Sequence, residues 1–149
     1  MTFKQKIYTR FLELMNEKVL SLQKVLNDLR ESAANETKST AGDKHETALA
    51  MLQIEQENTN RQLTEALEQK RALEKINPST QPPLIAVGSL VKTNKGCFFV
   101  SVALGKITVD GTTVISLSPQ SPLGIKLKGL RPNDTTEINK ISYTILSIE

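Results

Sequence analysis

Tryptophan is absent from the chain, and the aromatics are limited to two Tyr and four Phe. So sparse a set argues against a large ligand-lined cavity and against an aromatic platform for stacking nucleic-acid bases. Cysteine occurs once, as Cys97 in the apolar run Cys97-Phe98-Phe99-Val100. It cannot form an internal disulfide, so a reducing cytosol and a buried thiol are expected. No stretch approaches the roughly 20 apolar residues of a membrane span. The opening Met1-Thr2-Phe3-Lys4-Gln5-Lys6 runs straight into a charged amphipathic pattern, without the apolar core of a secretory signal. A cytoplasmic protein with no membrane partner is the expectation. Histidine also occurs once, and CxxC, HExxH, P-loop and GxGxxG patterns are all missing. Serine-type nucleophilic catalysis would have to use His45 alone, so no self-contained enzyme is expected.

An excess of one charge is also nearly absent. Residues 1–77 carry 12 Lys+Arg against 12 Asp+Glu, and residues 78–149 carry 7 against 4. The surplus is small, dispersed and confined to the second half, too weak to predict direct DNA binding.

What the chain does have is two stretches of different periodicity. Tyr8, Leu12, Met15, Val19, Leu22, Leu26, Leu29 and Ala33 recur in steps of four and three, a heptad seam uninterrupted by Gly or Pro before Gly42. A second seam runs Leu49, Leu52, Gln56, Thr59, Leu63, Ala66, Lys70 and Leu73, with polar residues in its middle. Each arm holds about 33 residues, roughly 50 Å of helix. The few residues between them, Glu36 to Gly42, make an antiparallel hairpin the cheapest way to bury both seams.

Asn77-Pro78-Ser79-Thr80-Gln81-Pro82-Pro83 ends the second helix and reads as a stiff linker. Beyond it the period becomes two. Strands are expected at Leu84 to Val91, Phe98 to Leu104, Lys106 to Val109, Thr112 to Leu117 and Ile141 to Ile148. Asp110-Gly111 marks a tight hairpin between the third and fourth. Ser121-Pro122 opens a short helix that Gly129 closes. The expected fold class is therefore α+β: a long helical hairpin (1–77, tip near 36–46), a linker (78–83), and a small antiparallel β domain with one helix (84–149). In about 65 residues that domain has room for a modest core only.

Chemistry concentrates at the hairpin tip. Asp43 and Glu46 stand three apart at the start of the second helix, so both carboxylates share a side. The same spacing is a capping box, which needs no function. Two carboxylates alone are a poor Mg²⁺ site, because Mg²⁺ takes six oxygens and keeps several waters. They could complete a site whose other ligands a partner provides.

Here the sequence resembles the bacterial Gre transcript-cleavage factors, whose hairpin tip carries Gly-Asp-x-x-Glu, as Gly42-Asp43-Lys44-His45-Glu46 does. A second likeness spans Ile115 to Gly129, with Ser121-Pro122-Leu123-Gly124 at its centre, then Asp134 and Tyr143-Thr144-Ile145; it is similar to that family's FKBP-like C-terminal domain. The resemblance implies a monomeric RNA polymerase accessory factor whose hairpin enters the secondary channel. Asp43 and Glu46 would act as the catalytic pair, sharing a Mg²⁺ ion with polymerase, and nascent RNA would be met only inside that complex. Ser121 and Pro122 would contact polymerase. No other cofactor is implied. The chain departs from the family pattern at Thr47-Ala48-Leu49-Ala50, Ser39 and Gln120. A channel-occupying regulator that does not cleave, and a plain coiled-coil interaction module, therefore stay open. An FKBP-like domain also suggests prolyl isomerase activity, but Phe98, Phe99 and Tyr143 read better as core.

Overall fold

The computed structural model describes residues 1–37 and 43–149; the side chains of Thr37, Asp43, Lys44 and His45 lie outside the described part, as does most of the expected turn. Two long helices, α1 (Phe3–Thr37) and α2 (Asp43–Glu74), precede six strands and a short helix. The strands are β1 (Leu90–Thr93), β2 (Gly96–Val100), β3 (Gly105–Val109), β4 (Thr112–Leu117), β5 (Thr135–Ile138) and β6 (Ile141–Ile148), with α3 (Pro122–Leu127) between β4 and β5. The chain forms two compact units. One is Leu14–Lys70; the other joins Met1–Glu13 to Arg71–Glu149.

The Leu14–Lys70 unit is helical throughout its described length. Met15, Val19 and Leu26 are buried on α1, and Thr59 and Ala66 on α2. Gln56 Nε2 donates to Leu29 O across the pair at 3.4 Å. With so few residues joining the helices, packing of this kind requires them to run antiparallel. All members of the α2 seam from Leu49 to Leu73 are buried or half-buried, the polar Gln56, Thr59 and Lys70 among them. Asn16 Oδ1 is buried without a hydrogen-bond partner. The polar layers weaken the seam, since each buries a group that water would otherwise satisfy.

In the other unit the sheet order is β3-β4-β2-β1-β6-β5. The sheet is mixed, not antiparallel as the sequence suggested, because β2 and β4 pair in parallel, Phe98 beside Ile115 and Val100 beside Leu117. The β3–β4 hairpin forms as expected, with Asp110 and Gly111 both at positive φ (51° and 78°). It attaches to β2 through β4, so β3 takes the edge. Strand order is set by long-range pairing and cannot be read from a local hairpin signal.

One sheet face carries Val91, Phe98, Val100, Leu117, Ile145 and Ile148, covered by Leu127 and by Leu123 of α3. Phe98 and Tyr143 meet edge to face, centroids 6.0 Å apart. On the other face Leu90, Phe99 and Val114 are buried. There the Phe11 ring stacks on Phe99 at 6.0 Å and 10°.

That stack explains a shift in the first seam. Ile7 and Phe11 are fully buried where Tyr8 and Leu12 were expected, and the two expected residues are half-buried. In its first turns α1 turns toward the sheet, and its buried stripe is rotated by one residue. Replacing Phe11 with Leu should lower stability by about 1 to 2 kcal/mol, from lost volume and lost ring contact. A urea titration followed by circular dichroism measures it, and an unchanged midpoint would contradict the packing.

Two further differences concern strand limits. Leu84 to Ser89 is not a strand; Ile85 instead exchanges backbone bonds with Gly129 and Leu130, and Ala86 N donates to Ser89 Oγ. β5, Thr-Thr-Glu-Ile, has no apolar alternation to announce it and exists through pairing with β6. The Pro-rich segment 78–83 lies inside the unit that contains the sheet.

Candidate functional site

Asp43 is the first residue of α2, and Glu46 follows one turn on. Glu46 is exposed; the side chains of Asp43 and His45, and Gly42, lie outside the described part. At this place the amides of a first helical turn lack intrahelical acceptors, so carboxylates are stabilised there. The three-residue spacing of Asp43 and Glu46 is thus carried by regular helix. Among the described residues no three His, Cys, Asp or Glu side chains gather into a group able to hold a metal ion.

The Ser121-Pro122 segment is described in full. Ser121 is extended (φ −66°, ψ 158°) and caps α3, its Oγ accepting from Gly124 N at 3.1 Å and donating to Ser118 O at 2.6 Å. Ser118 Oγ in turn donates to Gln120 Oε1 at 2.6 Å and accepts from Gln120 N. Pro122, at the first helical position, needs no donor and is exposed. Gly124 is buried against this turn: an added Cβ would collide with Ser118 O and stand 2.9 Å from Pro119 Cα and from Ser121 Oγ. The result is a rigid, self-bonded knuckle that presents Pro122, with Ile125 62% exposed on the next turn.

Cys97 is a free thiol, half-buried rather than buried. It lies opposite Lys92 and Val114 and lines a groove of about 310 Å³ with Phe3, Leu90 and Ser147. β2 begins at Gly96, so Cys97 stands near the strand's open end, where packing is incomplete.

The N-terminal turn holds a residue that periodicity did not mark. Thr2 and Gln5 form a reciprocal capping box: Gln5 N donates to Thr2 Oγ1 at 3.1 Å and Thr2 N to Gln5 Oε1 at 2.9 Å. The Thr-x-x-Gln spacing was its available signal. Between them Lys4 is only 3% exposed, its Nζ donating to Thr80 O at 2.7 Å. Burial lowers the Lys4 ammonium below its usual range, partly opposed by the Glu149 carboxylate. Nearby, Lys6 forms an ion pair with Asp110 at 2.9 Å. Burial and the neighbouring Glu74 carboxylate both raise the Tyr8 phenol. Among the described residues no helix is long and apolar enough to cross a membrane.

No protein-family model and no curated protein matches the chain. A solved structure of the transcription factor Gfh1 is similar over 95% of this chain and 92% of its own, at 18% identity and a TM-score of 0.35. A likeness at that level does not bear on function.

Proposed function

We propose that this chain is a Gre-like accessory factor of RNA polymerase, whose helical pair enters the secondary channel and stimulates cleavage of backtracked transcripts. The observation that carries the reading is the placement of Asp43 and Glu46 at the start of α2, directly after the short connection between two long helices. The 24 residues of α1 that lie outside the sheet-containing unit, 14–37, extend about 36 Å. The capped knuckle at Ser121-Pro122 supports the companion role, contact with polymerase, since its backbone is held by its own hydrogen bonds.

In this reading the chain is not an enzyme by itself. Asp43 and Glu46 would offer anionic oxygens to a Mg²⁺ ion whose remaining ligands polymerase would provide. Such an ion supplies an activated water for in-line attack on a phosphodiester. The two side chains do the orienting. The departure at Thr47-Ala48-Leu49-Ala50, directly beside the pair, favours one second reading, a regulator that occupies the channel without cleaving.

Core polymerase immobilised on beads should retain the full chain at micromolar concentration. Pro122→Arg should weaken that binding about tenfold while leaving helix content unchanged, because it places a bulky charge on the docking knuckle. Absence of binding by the unaltered chain would sink the proposal. Binding without stimulated cleavage in stalled complexes would select the non-cleaving regulator.

A further inference from the structure

The short helix α3 divides its residues cleanly between two faces. Gly124 and Leu127 are buried, and Leu123 packs against the sheet core. Pro122, Ile125 and Lys126, three and four residues apart, share the opposite side, and all three are exposed. The chain beyond the helix stays at the surface, with Lys128 and Arg131 also exposed. Backbone bonds fix its course: Lys128 N donates to Gly124 O at 3.1 Å, Gly129 N to Ile85 O at 2.8 Å, and Leu130 N to Leu127 O at 3.0 Å.

Charge separates this segment from the rest of the molecule. From Gly111 to Asn133 the chain holds Lys126, Lys128 and Arg131 and no Asp or Glu. The other 16 Lys and Arg are balanced by the 16 Asp and Glu, so the whole formal charge of +3 resides here. A surplus that looked dispersed along the second half is thus concentrated in one surface segment. Among the described residues none of these three cations joins an ion pair; the pairs are Lys6 with Asp110 and Arg10 with Glu13. Asp134, the next acid along the chain, accepts from Arg131 N at 2.8 Å, which closes the following turn and offsets the Arg131 charge only in part.

We infer that this surface docks on an acidic patch of polymerase, with Pro122 and Ile125 as its apolar centre and Lys126, Lys128 and Arg131 as a cationic rim. The inference rests on the reading of polymerase as partner and adds the charge of the surface that is met. An apolar centre inside a polar rim is the anatomy of a protein–protein contact. A nucleic-acid backbone fits less well. Residues 111–133 contain no aromatic on which a base could stack, and three cations are few beside the roughly 6 to 10 phosphate contacts of a typical DNA-binding protein. A lipid surface calls for a cluster of roughly 4 to 8 Lys and Arg. Rim charges act mainly on the rate of encounter, over a range of about 10 Å at 0.1 M salt.

Association and dissociation of the full chain with core polymerase are followed across a salt titration. Changing Lys126, Lys128 and Arg131 together to Glu should slow association about tenfold or more at low salt and flatten its salt dependence, with dissociation changed much less. The same charge change at Lys92, Lys95 and Lys106, exposed elsewhere in this unit, should slow association far less. Changing the first three to Gln should give a smaller loss in the same direction, and this variant decides the matter if the Glu variant fails to fold. Binding of polymerase by the unaltered chain with no response to either change at α3 would overturn this inference alone, as would an equal loss from the control set. Failure of the unaltered chain to bind polymerase would overturn the polymerase reading together with it. Binding of a DNA duplex or of phosphatidylserine vesicles that the Glu variant abolishes would assign the surface to those partners and overturn the inference as well.

Discussion

Exchanging Asp43 for Asn together with Glu46 for Gln is expected to remove stimulated RNA cleavage while leaving affinity for polymerase nearly unchanged. A hard cation requires anionic oxygen, and an amide of the same shape cannot supply it. Loss of even an outer-shell partner of a metal typically costs about 10- to 100-fold, so removing both direct oxygens should cost at least about 100-fold. Folding should suffer little. Asn is itself a good residue at a helix start, and a cap is worth only about 0.5 to 2 kcal/mol. The measurement is cleavage in backtracked complexes across a Mg²⁺ titration, with circular dichroism as the folding control. A double variant as active as the parent would reduce Asp43 and Glu46 to helix-capping residues.

The largest structural effect is expected at Gly124. Its buried Cα faces Ser118 O, which already accepts from Ser121 N at 3.0 Å and from Ser121 Oγ at 2.6 Å. Alanine there would drive a methyl group into that carbonyl and against Pro119 Cα. Both obstacles are backbone, so no side-chain rotation relieves them. The turn must open, and with it goes the cap of α3, whose Leu127 is fully buried in the sheet core. Gly124→Ala should therefore cost about 3 kcal/mol or more, a large part of the stability of a small protein. Lys126→Ala, exposed on the same helix, should shift stability by no more than about 0.5 kcal/mol. Urea midpoints of the two variants make the comparison. A Gly124→Ala midpoint within error of Lys126→Ala would show that the knuckle is not rigid.

The candidate site was legible unevenly. The helix start at Ser121-Pro122 was legible because a cap residue followed by Pro at the first helical position is local chemistry, and α3 begins there; their role as a contact came only from the family resemblance. The capping spacing of Asp43 and Glu46 marked a helix start, and α2 begins at Asp43. Lys4 was not, since a lysine near a helix start reads as solvated surface until another segment covers it. The segment that does so, with Thr80 O as acceptor, lies 76 residues away. Cys97 was expected buried from its apolar neighbours, yet strand alternation puts it on the face opposite Phe98, where the groove is incompletely filled.

Periodicity by itself determined the α+β class, the seam of α2, the seam of α1 from Met15 onward, the Asp110-Gly111 turn and the last strand from Ile141 to Ile148. Each depends on contacts within a few residues or on a repeat along one element. Tertiary structure alone decided the parallel pairing of β2 with β4, the existence of β5, and the non-strand course of Leu84 to Ser89. It also decided the one-residue rotation that buries Ile7 and Phe11. A periodic stripe shows that one face will be covered, but what covers it depends on segments far away in the chain. Phe11 meets Phe99 at a sequence separation of 88, and Lys4 meets Thr80 at a separation of 76; pairings that distant leave no local trace in the order of residues.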